Sequence, residues 1–174
     1  MSRSPSAVDQ QDRAFRDCMG TFPTGVTVVT ARHGDDAAGM TVNSFTSVSL
    51  DPMRVLVCLA HGSRTLAAVR DTERLTISVL ANGQEETALA FARPHVPFPW
   101  EHVHQERAGF LPVVGAVAVL RCDVDTRMEV GDHDVVVGAV HGFEAGDEEP
   151  LAFCRGTFGA FVSEQAPQVA RSAS

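Results

Sequence analysis

The sequence predicts a mainly β chain, a barrel with a few flanking helices. Three observations carry this. Short segments rich in β-branched residues recur along most of the chain, as at Val26 to Ala31 and Arg54 to Ala60. Turn signals of the antiparallel kind separate them, such as Gly34-Asp35-Asp36 and Gly131-Asp132-His133. Helical spacing is confined to a few short stretches, so strands do not alternate with full-length helices and a doubly wound parallel sheet is disfavoured. The pattern leaves the strand order open.

The elements follow in chain order. Met1 to Asp12 and Ser163 to Ser174 are polar, small-residue-rich and read as flexible tails, which leaves one domain over 13–162. From Arg13 to Phe22, the residues Ala14, Phe15, Cys18, Met19 and Phe22 recur at helical spacing, and Pro23-Thr24-Gly25 ends the helix. Val26 to Ala31 is a strand, His33 to Ala38 a turn, Met40 to Thr46 the next strand and Arg54 to Ala60 a buried third. Ser63 to Val69 reads as a short helix, Leu75 to Leu80 as a strand and Gln84 to Ala92 as a helix. Arg93 to Phe110 holds three prolines, His95, His102, His104 and the only tryptophan, and reads as a long irregular loop or flap. Val113 to Met128 and Asp134 to Ala145 are long strands joined by a tight turn; Leu151 to Phe153 and Phe158 to Val162 are short final ones.

Composition narrows the function classes. With 174 residues the chain can bury a core of its own, and 44% hydrophobic with 21% charged residues is ordinary for a globular protein. A net charge of −8 without a basic stretch argues against nucleic acid and anionic membranes as partners. No apolar run is long enough to span a bilayer, and the first twelve residues lack an apolar signal core, so a cytoplasmic location is expected. All 14 basic residues are Arg and there is no Tyr, which removes Schiff-base lysines, phosphate-loop lysines and tyrosine acids. The four cysteines show no C-x-x-C spacing, so neither a zinc site nor a dithiol is signalled. Cys58 and Cys122 lie in apolar runs and read as small buried hydrophobes.

Three segments carry candidate chemistry. The run from Gly39 to Pro52 starts as a strand and becomes dense in small polar groups: Thr41, Asn43, Ser44, Thr46, Ser47 and Ser49. Such a run fits a polar ligand with many acceptors. His61-Gly62-Ser63-Arg64-Thr65-Leu66 follows a strand and opens a helix, where a Ser63 cap, free N–H groups and the Arg64 guanidinium would suit a phosphate. Read alone, the same residues make a simple cap with a solvated Arg64. Gly131-Asp132-His133 is ordinary hairpin chemistry, unless a barrel rim presents the imidazole to a planar ligand. Gly20 to Gly25 lacks the third glycine of a dinucleotide fingerprint and precedes its strand. His102 and His104 have no third ligand at a convincing spacing, and no G-x-S-x-G elbow occurs; no metal is expected.

Taken in order, Phe22-Pro23-Thr24-Gly25-Val26-Thr27-Val28-Val29-Thr30, the Gly39–Pro52 run, Ser63-Arg64-Thr65 and Gly131-Asp132-His133 resemble the short-chain flavin reductases, from about Arg13 to Phe161. The resemblance implies an FMN-binding split barrel and a homodimer with flavin in a groove at its interface. It implies NAD(P)H-dependent reduction of FAD or FMN, with NADH ahead of NADPH, and delivery of reduced flavin to a partner monooxygenase, in aromatic or natural-product metabolism. Thr41, Val42, Asn43 and Ser44 would lie along the ring and ribityl chain, and Ser47, Val48 and Ser49 would continue that wall. Ser63, Arg64 and Thr65 would take the phosphate; Phe91 and Ala92 would stand at the flavin's outer end. Thr24 would touch the ring edge and Phe158 the cofactor, and His133 would stand beside the nicotinamide. One departure stands out: family members often carry Tyr and His ahead of a C-terminal Arg-Gly pair, and this chain has Phe153-Cys154-Arg155-Gly156. A non-catalytic flavin- or haem-binding split barrel is the alternative. An oxidase of the pyridoxamine-phosphate type ranks lower, for want of basic phosphate-binding residues.

Overall fold

The computed structural model describes residues 7–93, 96–106 and 108–162. Helix α1 (Ala7–Met19) begins inside the segment read as tail. Val8 stands seven residues before Phe15, so the apolar stripe extends a further two turns toward the N-terminus. There follow β1 (Thr24–Gly25), β2 (Thr27–His33), β3 (Asp36–Val42), β4 (Thr46–Leu50), β5 (Met53–Ala60), α2 (Arg64–Thr72), β6 (Arg74–Val79) and α3 (Glu85–Ala92). A 3₁₀ turn (Trp100–His102) precedes β7 (Ala118–Val130), β8 (His133–Ala145), β9 (Leu151–Cys154) and β10 (Thr157–Ala160).

Seven strands pair antiparallel in the order β3-β2-β6-β7-β8-β5-β4, and β1-β9-β10 form a separate small sheet. The expected single strand from Met40 to Thr46 is in fact two. β3 stops at Val42 on one edge of the large sheet, and β4 starts at Thr46 on the other. Four residue steps reach at most about 14 Å, whereas a flat seven-stranded sheet is roughly 29 Å wide. The sheet must therefore curl until its two edges nearly meet, a barrel left split at the β3–β4 seam.

Two cores follow from the curl. Val29, Ala31, Val57, Leu59, Leu75, Ile77 and Val136 fill the interior, and Leu66 and Val69 of α2 plug it. On the opposite face of β2, Val26 and Val28 pack with Ala88 and Phe91 of α3 and with Phe98, Val103, Leu111 and Val113. With both its faces covered, β2 is buried without a break from Thr27 to Ala31 instead of alternating. The described residues of Arg93 to Phe110, expected as a loop or flap, form with Leu111 to Val113 a packed cover. Thr30 Oγ1 donates to the Leu111 carbonyl (2.7 Å), and Thr76 Oγ1 and Ser78 Oγ accept from Leu111 and Val113 N–H (both 3.0 Å). Buried strand hydroxyls thus satisfy the backbone of an irregular segment that has no ladder of its own. Phe98 stacks edge-on against both Phe91 and Trp100. Pro94, His95, Arg107 and the expected C-terminal tail lie outside the described residues.

Candidate functional site

The split seam is flanked by two cavities, and residues 37–46 contribute to both. The larger, about 1110 Å³, is lined by the end of α1, by Thr24 of β1, by Asn43 and Ser44 at the seam, and by Phe153 and Arg155. It exceeds the roughly 300–1,000 Å³ of ordinary small-molecule sites. Thr24 Oγ1 is sealed from solvent and, among the described residues, is the one such side-chain oxygen or nitrogen without a hydrogen-bond partner. Leaving a buried hydroxyl unmade costs about 1–3 kcal/mol. A ligand in this cavity that bonds to Thr24 would remove that cost.

The smaller cavity, about 370 Å³, lies where α2 begins and is lined by residues 37–41, His61 to Thr65, Phe91 and Ala92. Ser63 caps α2: its Oγ accepts from Leu66 N–H at 3.1 Å and its carbonyl from Ala67 N–H at 3.2 Å. The first donors left over are the N–H groups of Arg64 and Thr65, at the positive end of the helix. Arg64 rests on Asp36 at 3.1 Å, a half-exposed pair that a phosphate can displace. His61 is held from behind. Its Nε2 lies 2.8 Å from the Asp134 carboxylate, which also accepts from Arg70 Nε (3.2 Å) and Nη2 (2.8 Å). Asp134 is 1% exposed, and Arg70 before His61 holds its carboxyl below the usual range against the opposing effect of burial. His61, Glu129 and Asp134 cluster as metal ligands would, but the Arg70 guanidinium sits 2.8 Å from Asp134 and 3.7 Å from Glu129, where a cation would be repelled.

The residues of the hydroxyl run divide by role. Asn43 and Ser44 line the larger cavity and Thr41 the smaller. Part of the polarity serves the fold: Thr41 Oγ1 donates to the Ala88 carbonyl at 2.6 Å, and Ser44 Oγ accepts from Cys58 N–H at 2.9 Å, replacing a ladder bond lost at the seam. The Val42 side chain is in the interior core, so only its backbone is on offer to a ligand, and its carbonyl already accepts from Thr27 Oγ1. Ser47, Val48 and Ser49 lie on the edge strand β4 and line neither cavity. Ser63, Arg64, Thr65, Phe91 and Ala92 converge on the smaller cavity, although Thr65 itself is 2% exposed. Phe158 stacks behind Phe153 at 5.3 Å and lines neither cavity. His133 opens β8 at the tip of the β7–β8 hairpin, its Nδ1 2.7 Å from Asp132, whose carboxyl it holds below the usual range. It too lines neither cavity.

Sequence reading missed the α1 wall, Arg16, Asp17 and Gly20, and the Arg155 rim. The available signal was the Arg155-Gly156 pair. Both residues have positive φ (50° and 77°) in a two-residue turn, in which Cys154 pairs with Thr157. Asn, Asp or Gly suits the first position of such a turn, and another L-residue costs about 1–2 kcal/mol there.

The fold is thus a split antiparallel barrel with a cavity at a helix start on one side of its seam and a large cavity lined by Thr24, Asn43 and Ser44 on the other. The chain belongs to the flavin reductase like domain family, whose model matches residues 19–161. FMN reductase (NADH) SmoA of Agrobacterium fabrum is 38% identical over 155 residues, 87% of this chain and 87% of that protein. The reductase component of a 4-nitrophenol 4-monooxygenase/4-nitrocatechol 2-monooxygenase of Rhodococcus opacus is 38% identical over 149 residues, 85% of this chain and 80% of that one. Among solved structures, the NADH:FAD oxidoreductase SgcE6 of Streptomyces globisporus superposes with a TM-score of 0.82 at 35% identity, over 93% of this chain and all of that one. Two Rhizobium meliloti relatives are longer: the chain spans 48% and 64% of their lengths. No helix among the described residues is long and apolar enough to cross a membrane.

Proposed function

We propose that the chain is an NADH-dependent flavin reductase that takes FMN or FAD as a diffusible substrate and supplies reduced flavin to a partner monooxygenase. The observation that carries this reading is the large cavity lined by Thr24, Asn43 and Ser44, which lies across the seam from the cavity at the α2 helix start. The family membership and the named activities of the relatives support it. Flavin bound here accepts a hydride from the nicotinamide ring. The protein's part is placement. Asn43, Ser44 and Thr24 offer polar groups to the ring system, and the start of α2 with Ser63 and Arg64 neutralises the phosphate. No nucleophile is required, in keeping with a chain that lacks Lys and Tyr.

The reading extends to a homodimer. Val8, Phe15, Met19 and Phe22 are exposed along α1 and its end, beside the larger cavity, and a second copy would bury them. The nicotinamide role implied for His133 requires delivery from that second copy. The test is NADH oxidation at 340 nm with FAD, FMN or riboflavin added, and NADPH in parallel. Turnover that depends on added flavin, with NADH the faster donor, is the expected result. Tight one-to-one flavin retention without turnover would replace this reading with that of a flavin carrier.

A further inference from the structure

Arg16 and Arg155 stand together on the rim of the larger cavity. They come from distant parts of the chain and are locked in place by backbone. Gly20 N–H donates to the Arg16 carbonyl at 2.8 Å, and Arg155 N–H donates to the Gly20 carbonyl at 2.7 Å. The Cys154 thiol lies 3.6 Å from the same Gly20 oxygen. A Cβ on Gly20 would stand 3.2 Å from the Arg16 carbonyl oxygen, a tight contact within the helix end, and 3.7 Å from Arg155 Cα, an ordinary one. The end of α1 and the β9–β10 turn are therefore one unit.

The charges of this unit are unused. Arg32, Arg54, Arg64, Arg70, Arg74, Arg121 and Arg127 all engage a side-chain oxygen, whereas neither Arg16 nor Arg155 has a side-chain partner among the described residues. Asp17 lines the same cavity but pairs with neither of them. Arg155 also occupies a left-handed turn position that favours Asn or Gly, and turn chemistry gives no reason for an arginine there. Arg16 also borders a shallow cavity with Asp9, Asp12, Arg13 and Asp17, and on the side of the larger cavity the two guanidiniums are free to meet an anion.

We infer that Arg16 and Arg155 hold the diphosphate of the nicotinamide dinucleotide donor, so that its ring enters the cavity that Thr24 and Asn43 line. The inference rests on the flavin reductase reading. The flavin's own phosphate is already provided for at the start of α2, so the rim pair serves the second substrate.

The test uses Arg16→Gln and Arg155→Asn, the latter chosen because Asn suits the turn and keeps it folded. KM is measured for NADH, for NADPH and for N-benzyl-1,4-dihydronicotinamide, a hydride donor without phosphate. The Kd values of NAD⁺ and FMN are measured by calorimetry. Each variant should raise the KM of both dinucleotides and the Kd of NAD⁺ by about tenfold, the loss of one charge-assisted hydrogen bond. The benzyl donor's kcat/KM and the FMN Kd should stay within about twofold, a few tenths of a kcal/mol. Unchanged NADH KM and NAD⁺ Kd in both variants would overturn the assignment. So would a loss confined to NADPH, which points to the 2′-phosphate, or an equal loss of FMN affinity. Absence of turnover with every donor in the unmodified chain would instead remove the reductase reading beneath it.

Discussion

Arg70→Ala should be the most destabilising single change near the smaller cavity, and the structure gives the size of the effect. Asp134 is buried and its carboxylate accepts three hydrogen bonds, two from Arg70 and one shared with His61. Removing Arg70 leaves a charge in the interior with only His61 beside it. Stranding one member of a buried pair costs about 3–5 kcal/mol, and the surviving His61 contact favours the lower end. For a chain of this length that lowers Tm by roughly 6–12 °C. Asp134→Asn removes the charge in the opposite sense: the stranded Arg70 is half-exposed and water can solvate it, so the cost is about 1–2 kcal/mol. Acid dependence follows from the sign of the shift. The folded pKa of Asp134 is lowered, chiefly by Arg70, so its stabilisation is present above the ordinary carboxylate range and is lost only as pH falls through the lower folded value. In Arg70→Ala the largest cause of the depression is gone and only the His61 contact opposes burial, so acid loss begins at a higher pH. Circular-dichroism melts at pH 7, 5.5 and 4.5 read both effects. An Arg70→Ala variant more stable than Asp134→Asn at pH 7, or parallel to the unmodified chain at every pH, would refute the reasoning.

Four further outcomes are expected. Thr24→Val removes an unmet hydroxyl, so it should raise the Tm of the ligand-free protein by about 2–4 °C, worth roughly 1 kcal/mol, while weakening FMN binding in a fluorescence titration; a lower Tm with intact affinity would count against a ligand at Thr24. Gly39→Ala places a Cβ 2.8 Å from two Phe91 ring atoms, and overpacking of about 1–3 kcal/mol should appear as a lower Tm together with weaker FMN binding, because Phe91 lines the smaller cavity, where the flavin phosphate is proposed to bind. Arg64→Ala should weaken FMN and FAD about tenfold and spare riboflavin, which has no phosphate; an equal loss for all three would remove the phosphate role. His133→Ala should impair NADH kinetics more than FMN affinity, and unchanged NADH kcat and KM would leave the residue a turn histidine.

Much of this was legible in the sequence, and the limits have physical causes. The strands were readable because β-branched runs and Gly-Asp turns are local signals. The break at Asn43 was not, because a chain that crosses between sheet edges keeps the same hydroxyl-rich composition on both sides. The start of α2 was readable from the cap chemistry of Ser63. The roles of Thr41 and Ser44 were only half visible: their hydroxyls bind Ala88 and Cys58 backbone, a long-range fact that no local pattern encodes. Arg16 and Arg155 lie 139 positions apart and meet only through the Gly20 backbone, once α1 and the β9–β10 turn are in place. The packed state of the 96–113 segment was hidden for a similar reason, since its hydrogen-bond partners are Thr30, Thr76 and Ser78 on distant strands.

The central claim is that flavin enters, is reduced and leaves. The direct measurement is anaerobic bleaching of flavin at 450 nm, with FMN or FAD and NADH each in large excess over a trace of the protein. Bleaching of the whole flavin pool, at a rate proportional to protein concentration, is the predicted result. Bleaching that stops at one flavin per chain, or none above the protein-free rate, would contradict a reductase that releases its product.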